Sequence, residues 1–231
     1  ETTRGLDQNP KTRYVGNPIR QTSPAKPSAS EQKSSPAPLI SPDDFTLLVT
    51  GGSQGAASIN QAFFQAVELI LKSKDGIESS NDLNKVHIIH QTGLADETKL
   101  QKAYETLGIR TTVQAFFQNM PALQDRADLV VTRAGAGTIS EIAVKGLPSI
   151  LVPFPHAADD HQTFNAKILA DRGAAILIAD RDLTGPLLKE TLLDLMNDKN
   201  KLKQMGIAAK KLAMPDADKI IAAEILNTKD L

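Results

Sequence analysis

From Phe45 onward the chain alternates short β-branched or apolar runs with amphipathic segments of ten residues or more. Each apolar run is the right length for a strand buried in a sheet. Each amphipathic segment can cover that sheet while carrying the chain back to begin a parallel neighbour. The runs predict strands at 45–50, 86–91, 111–116, 128–132, 149–153 and 174–179, and the segments between them predict helices near 55–74, 95–107, 119–126, 138–146 and 161–172. Further helices are expected near 184–197, 199–213 and 216–228, with no further strand. The fold class is therefore α/β, a Rossmann-like doubly wound parallel sheet. Its usual strand order, 3-2-1-4-5-6, opens a binding crevice at the carboxyl ends of the first and fourth strands.

The stretch 21–44 is different in kind. It holds Pro24, Pro27, Pro36, Pro38 and Pro42 among Ser, Ala and Lys, with almost nothing apolar before Leu39, and reads as an extended linker. Three units follow: 1–20 as the end of a preceding domain, 21–44 as the linker and 45–231 as the α/β domain. Glu1-Thr-Thr-Arg-Gly-Leu-Asp7 has neither an initiator Met nor a charged-then-apolar leader, so the chain reads as a piece of a longer protein.

Composition narrows the chemistry. With 231 residues, 41% of them hydrophobic, the chain can bury a real core, and no apolar run approaches the roughly 18 residues of a membrane span. The absence of cysteine excludes disulfides, thiolate metal sites and cysteine nucleophiles. Lys and Arg number 26 against 27 Asp and Glu, with no long basic run, which argues against nucleic acid as a partner.

The glycine-rich junctions carry the functional signal. Thr50-Gly-Gly-Ser-Gln-Gly55 follows the first strand and opens a helix, where free amides and the helix dipole favour an anion. It lacks the GxGxxG spacing, and His90 and Gln91 end the second strand where a dinucleotide site wants an acid, so a dehydrogenase is disfavoured. A plain glycine turn with Ser53 as N-cap is the competing reading. Ala134-Gly-Ala-Gly-Thr138 after the fourth strand offers a second set of amides. Glu141, expected in the first turn of the next helix, could accept hydrogen bonds from the vicinal hydroxyls of a ribose. Thr138-Ile-Ser-Glu141 also matches a capping box, in which Glu141 merely closes its own helix. Asp159-Asp-His-Gln162, after the fifth strand, is a third loop on the same crevice: one Asp suits an N-cap, and Gln162 suits sugar hydroxyls. His161 as a general base is the weaker alternative to a simple hydrogen-bonding role. His87 and His90 face opposite sides of a strand, and Asp180-Arg-Asp182 and Asp216-Ala-Asp218 fit helix starts, so no metal site is expected.

Taken together, Gly16-Asn-Pro-Ile-Arg20, Gly51-Gly-Ser-Gln-Gly55, Gly135-Ala-Gly-Thr-Ile-Ser-Glu141 and Asp160-His-Gln-Thr-Phe-Asn-Ala166 resemble the C-terminal half of the MurG family. These are bacterial transferases that pass N-acetylglucosamine from its UDP donor to the lipid-linked peptidoglycan precursor. The resemblance implies a GT-B half. It also implies a donor site with Arg20 and Ser53 toward the diphosphate side, Gln54 as a further substrate contact, Phe117 meeting uracil through its backbone, and Ala136, Gly137 and Thr138 facing phosphate. Glu141 would hold the ribose, and His161 and Gln162 the sugar. It implies no cofactor and no metal. The reaction is inverting, with the base, the undecaprenyl-linked acceptor and the membrane contact supplied by an absent N-terminal domain, at the cytoplasmic face of the plasma membrane. The isolated half would be inactive. A second hypothesis is a UDP-sugar-binding subunit of a two-chain glycosyltransferase. A UDP-sugar epimerase lacks the paired carboxylates it would need.

Overall fold

The computed structural model describes residues 13, 15–19, 44–73 and 85–227. Strands β1 (Phe45–Thr50), β2 (Val86–Gln91), β3 (Thr111–Gln114), β4 (Leu129–Thr132), β5 (Ser149–Leu151) and β6 (Ala175–Leu177) form one parallel sheet in the order β3-β2-β1-β4-β5-β6. Helices α1 (Ala57–Lys72), α2 (Glu97–Leu107), α3 (Met120–Gln124), α4 (Ala136–Lys145) and α5 (His161–Ala170) link them. Then α6 (Gly185–Asn197), α7 (Lys199–Lys210) and α8 (Ala217–Asn227) complete the chain. The strand order and every element expected from Phe45 onward are present.

Alternation along the strands sorts the core into two layers. Leu47 and Val49 of β1, with Val131 and Ile150, pack beneath α1 and α6, whereas Leu48, Ile89, Val130 and Leu151 pack beneath α4 and α5. In α1 the buried Ile59, Phe63, Ala66, Val67 and Ile70 recur at helical spacing and make the stripe that seats the helix. Phe63 is fully buried, so truncating it to Ala should cost about 3–5 kcal/mol.

Local chemistry trims several expected boundaries. Helix α1 starts at Ala57 rather than 55, because Gly55 has a φ of +76° and leaves the helical region. The third strand ends at Gln114 because the next amide, that of Ala115, is taken by the Glu97 carboxylate at 2.9 Å. The fifth ends at Leu151, shortly before Pro153, which has no N–H to give. Of the expected linker only Asp44 lies among the described residues, and its carboxylate pairs with Arg110 at 2.7 Å. Residues 15–19 are described too: Gly16 lies so close to Met214 that a Cβ there would come within 2.7 Å of that side chain. Arg20 lies outside the described residues.

Candidate functional site

The crossover from β3 to β4 reverses the winding of the sheet and leaves a crevice at the carboxyl ends of β1 and β4. A cavity of about 620 Å³ fills it, walled by the glycine loop from Gly51 to Gly55, the start of α1, Arg133, Gly135, Thr138, the turn Phe154–His156, Gln162 and Asp180. Two helices open onto it. Helix α1 has Ala56 at its N-cap and α4 has Gly135; neither cap side chain closes the helix, and neither first turn holds an acid. Free amides and the positive ends of two helix dipoles therefore converge on one space, an arrangement suited to an anion such as a diphosphate.

Close packing of the backbone shapes the first loop. A Cβ at Gly55 would fall 2.0 Å from the Thr92 carbonyl oxygen, so only glycine lets the β1 loop lie against the end of β2. Ser53 and Gln54 are exposed at the loop tip and are not among the residues lining the cavity. Ser53 is not the N-cap of α1, because the positive φ values of Gly52 and Gly55 prolong the turn and Ala56 takes that position.

Helix α4 overturns the capping-box alternative. It begins at Ala136, two residues earlier than expected, because Gly135 adopts the extended cap conformation and its carbonyl accepts the Ile139 amide at 2.9 Å. Glu141 thus sits in the second turn, beyond reach of the helix's free amides. Its Oε2 instead accepts the Gln124 side-chain amide at 2.8 Å. Ala136 and Gly137 are exposed and Thr138 half-buried at the mouth, one turn before half-buried Glu141 on the same helix face.

Gln162 has one committed end and one open one. Its Oε1 accepts the amides of Ala134 (3.1 Å) and Phe154 (3.0 Å), tying the β4 loop to the β5 loop. Two N–H donors on one atom identify that atom as the oxygen, so Nε2 is left as a donor on the cavity wall. Before it, Asp159 and Asp160 both have positive φ, 49° and 52°, a strained conformation for residues with a Cβ. Asp160 stands at the N-cap of α5, yet its carboxylate accepts the Thr163 hydroxyl (2.6 Å) rather than a backbone amide. His161 is exposed. Its Nδ1 lies 2.7 Å from the Ala158 carbonyl, which makes Nδ1 the donor and leaves Nε2 as the acceptor of the neutral ring. Phe117 is buried, and its N–H is taken by Gln91 Oε1 at 2.8 Å.

A profile of the glycosyltransferase family 28 C-terminal domain matches residues 46–221. The UDP-N-acetylglucosamine–N-acetylmuramyl-(pentapeptide) pyrophosphoryl-undecaprenol N-acetylglucosamine transferase of Geobacter metallireducens is 38% identical over 229 residues, 99% of this chain and 59% of that protein. The protein of the same description in Brucella canis is 40% identical over 213 residues, 92% of this chain and 52% of that one. This chain belongs to the MurG family, as its C-terminal domain of glycosyltransferase family 28. It spans a little over half the length of these relatives. The crystal structure of Acinetobacter baumannii MurG superposes with a TM-score of 0.67 at 31% identity, over 80% of this chain and 52% of that one. The kitacinnamycin glycotransferase, at 20% identity and a TM-score of 0.58, shares the GT-B fold.

Three groups in this family domain carry the site without having been given a role from sequence. Arg133, at the end of β4, reaches under the crevice: Nη1 meets the carbonyls of Val152 (3.2 Å) and Pro153 (3.1 Å) and the Asp180 carboxylate (2.5 Å), while Nη2 meets Ser58 (2.9 Å). Ser58 also donates to Asp180, and the guanidinium lies 5.5 Å from the Phe154 ring centre. The first Asp of Asp180-Arg-Asp182 is thus an ion-pair partner. Gln91, buried at the end of β2, gives Nε2 to Thr50 (3.2 Å) and to the Gly52 carbonyl (2.9 Å), joining the glycine loop to Phe117. Behind it Tyr104 O–H donates to His90 Nδ1, His90 Nε2–H to Asn60 Oδ1, and Asn60 Nδ2 to the Thr92 carbonyl and Asp96. Burial pushes His90 down to about 3 and the Tyr104 phenol upward. An apolar strand ending in Arg or Gln was a visible signal, but partners 19 to 75 residues away were not. Among the described residues no three His, Asp or Glu side chains converge as a metal site, and no helix is long and apolar enough to cross a membrane.

Proposed function

We propose that this chain is the donor half of an inverting transferase that moves N-acetylglucosamine from its UDP donor to lipid-linked N-acetylmuramyl-pentapeptide. The observation that carries this reading is the convergence of two uncapped helix N-termini on one cavity in a MurG-family domain. The diphosphate lies between the amides of the glycine loop and those of Ala136 to Thr138, with Ser53, Gln54 and Arg20 assigned as further donor contacts. The ribose extends past Thr138 to Glu141. Uracil reaches Phe117, where the carbonyl is the backbone group left to accept its imide N–H. N-acetylglucosamine meets Gln162 Nε2 and His161.

Departure of UDP builds negative charge on the diphosphate, and fixed dipoles stabilise that charge without reorganising. The acceptor's proton requires a base from the N-terminal half, which also supplies the undecaprenyl-linked acceptor and the membrane contact at the cytoplasmic face. Residues 1–20 then belong to the join with that half, 21–44 to the linker and 45–231 to the donor domain.

The test pairs calorimetry with a transfer assay. The chain alone should bind UDP-N-acetylglucosamine yet transfer no sugar to purified lipid acceptor. Turnover by the chain alone would contradict the division of labour, and no heat at millimolar donor would contradict the donor site.

A further inference from the structure

Gln124, on α3, is 6% exposed, and its two amide atoms have opposite fates. Nε2 donates to Glu141 Oε2 at 2.8 Å, whereas Oε1 is fully buried with no hydrogen-bond partner. The orientation is enforced by chemistry, since turning the amide over would set a carbonyl oxygen against a carboxylate. Helix α3 holds it in place: Asn119 Oδ1 caps the helix at the Ala122 amide, and Leu123 is buried in the same core cluster as Ile142, the neighbour of Glu141. A buried carbonyl without a partner works against folding, so the space itself would be better filled by an apolar side chain. What Gln124 adds is its one contact, and Glu141 has no other hydrogen-bond partner among the described residues.

We propose that Gln124 is a positioning residue that sets the preference for a ribonucleotide over a 2′-deoxyribonucleotide. By holding Oε2 it fixes the Glu141 carboxylate before the ligand arrives, so that Oε1 and the remaining lone pairs face the vicinal hydroxyls and little side-chain freedom is lost on binding. This rests on the ribose role given to Glu141 above.

The experiment is calorimetry of UDP and 2′-deoxy-UDP with the wild-type chain, Gln124→Met, Glu141→Gln and the double variant. Met keeps the length of the side chain and removes both amide atoms, so the melting temperature should hold or rise. Gln124→Met should weaken UDP binding roughly three- to tenfold, leave 2′-deoxy-UDP within about twofold, and add nothing in the Glu141→Gln background. If Glu141→Gln removes the ribose preference while Gln124→Met keeps it, the positioning role is wrong and the ribose role stands. A wild-type chain that binds both nucleotides equally overturns both.

Discussion

Replacing Gln91 by Met should uncouple two parts of the site that lie far apart in sequence. The side chain is 3% exposed and makes three hydrogen bonds: to the Thr50 hydroxyl, to the Gly52 carbonyl and from the Phe117 amide. Met matches its length and fills its volume, so the change is chiefly electrostatic. The buried Phe117 amide is left without a partner, whereas the Gly52 carbonyl keeps the Gly55 amide at 3.1 Å, so the expected loss is about 1–3 kcal/mol. With a urea dependence of about 2 kcal/mol per M, the unfolding midpoint should fall by roughly 0.5–1.5 M. UDP affinity should fall as well if the proposed donor site is right, because it sets the glycine loop and Phe117 at opposite ends of the nucleotide. A midpoint within about 0.3 M of wild type, well inside the smallest shift expected from that dependence, would refute this account of Gln91.

Acid should weaken the fold through His90. The folded state holds it neutral with a pKa of about 3 against 6.5 in the unfolded chain, so its contribution is complete above pH 6.5 and is lost as the pH falls toward 3. Between pH 7 and pH 5 stability should drop by about 2 kcal/mol, with buried His87, also pushed down by burial and then by Arg110, adding in the same direction; urea titrations at both pH values with His90→Gln as control check this. Arg133→Met and Asp180→Leu should each cost about 1.5–3 kcal/mol by leaving a half-buried charge without its ion-pair partner, while the double variant costs clearly less than their sum; additive losses in thermal unfolding would show that the pair is not coupled. Gly52→Ala should cost only the roughly 1–2 kcal/mol of a left-handed residue, since no atom lies within 4 Å of the added carbon, whereas Gly55→Ala, 2.0 Å from the Thr92 oxygen, should prevent folding or displace the loop.

The sheet was legible because parallel strands are buried on both faces, so Phe45–Thr50 and Val86–Gln91 read as short β-branched and apolar runs, interrupted only by Thr, His and Gln that are themselves buried. The crevice followed from strand order, and its glycine loops from composition. Capping was less legible: Thr138 and Glu141 carry a capping-box spacing, but Gly135 reaches the cap conformation first and moves the helix start by two residues. Tertiary pairs were not legible. Arg133 with Asp180, Gln91 with Phe117 and Gln124 with Glu141 depend on which strand ends and helices become neighbours, and no local pattern encodes that.

Amide-resolved NMR of the chain during titration with UDP tests the donor-site claim most directly. Saturable shifts should appear at Gly51–Ser58, at Arg133–Glu141, near Phe117 and at Phe154–Gln162, with UDP-N-acetylglucosamine extending them at His161 and Gln162. Shifts confined to the opposite end of the sheet, around α7, or no shifts at millimolar nucleotide, would contradict it.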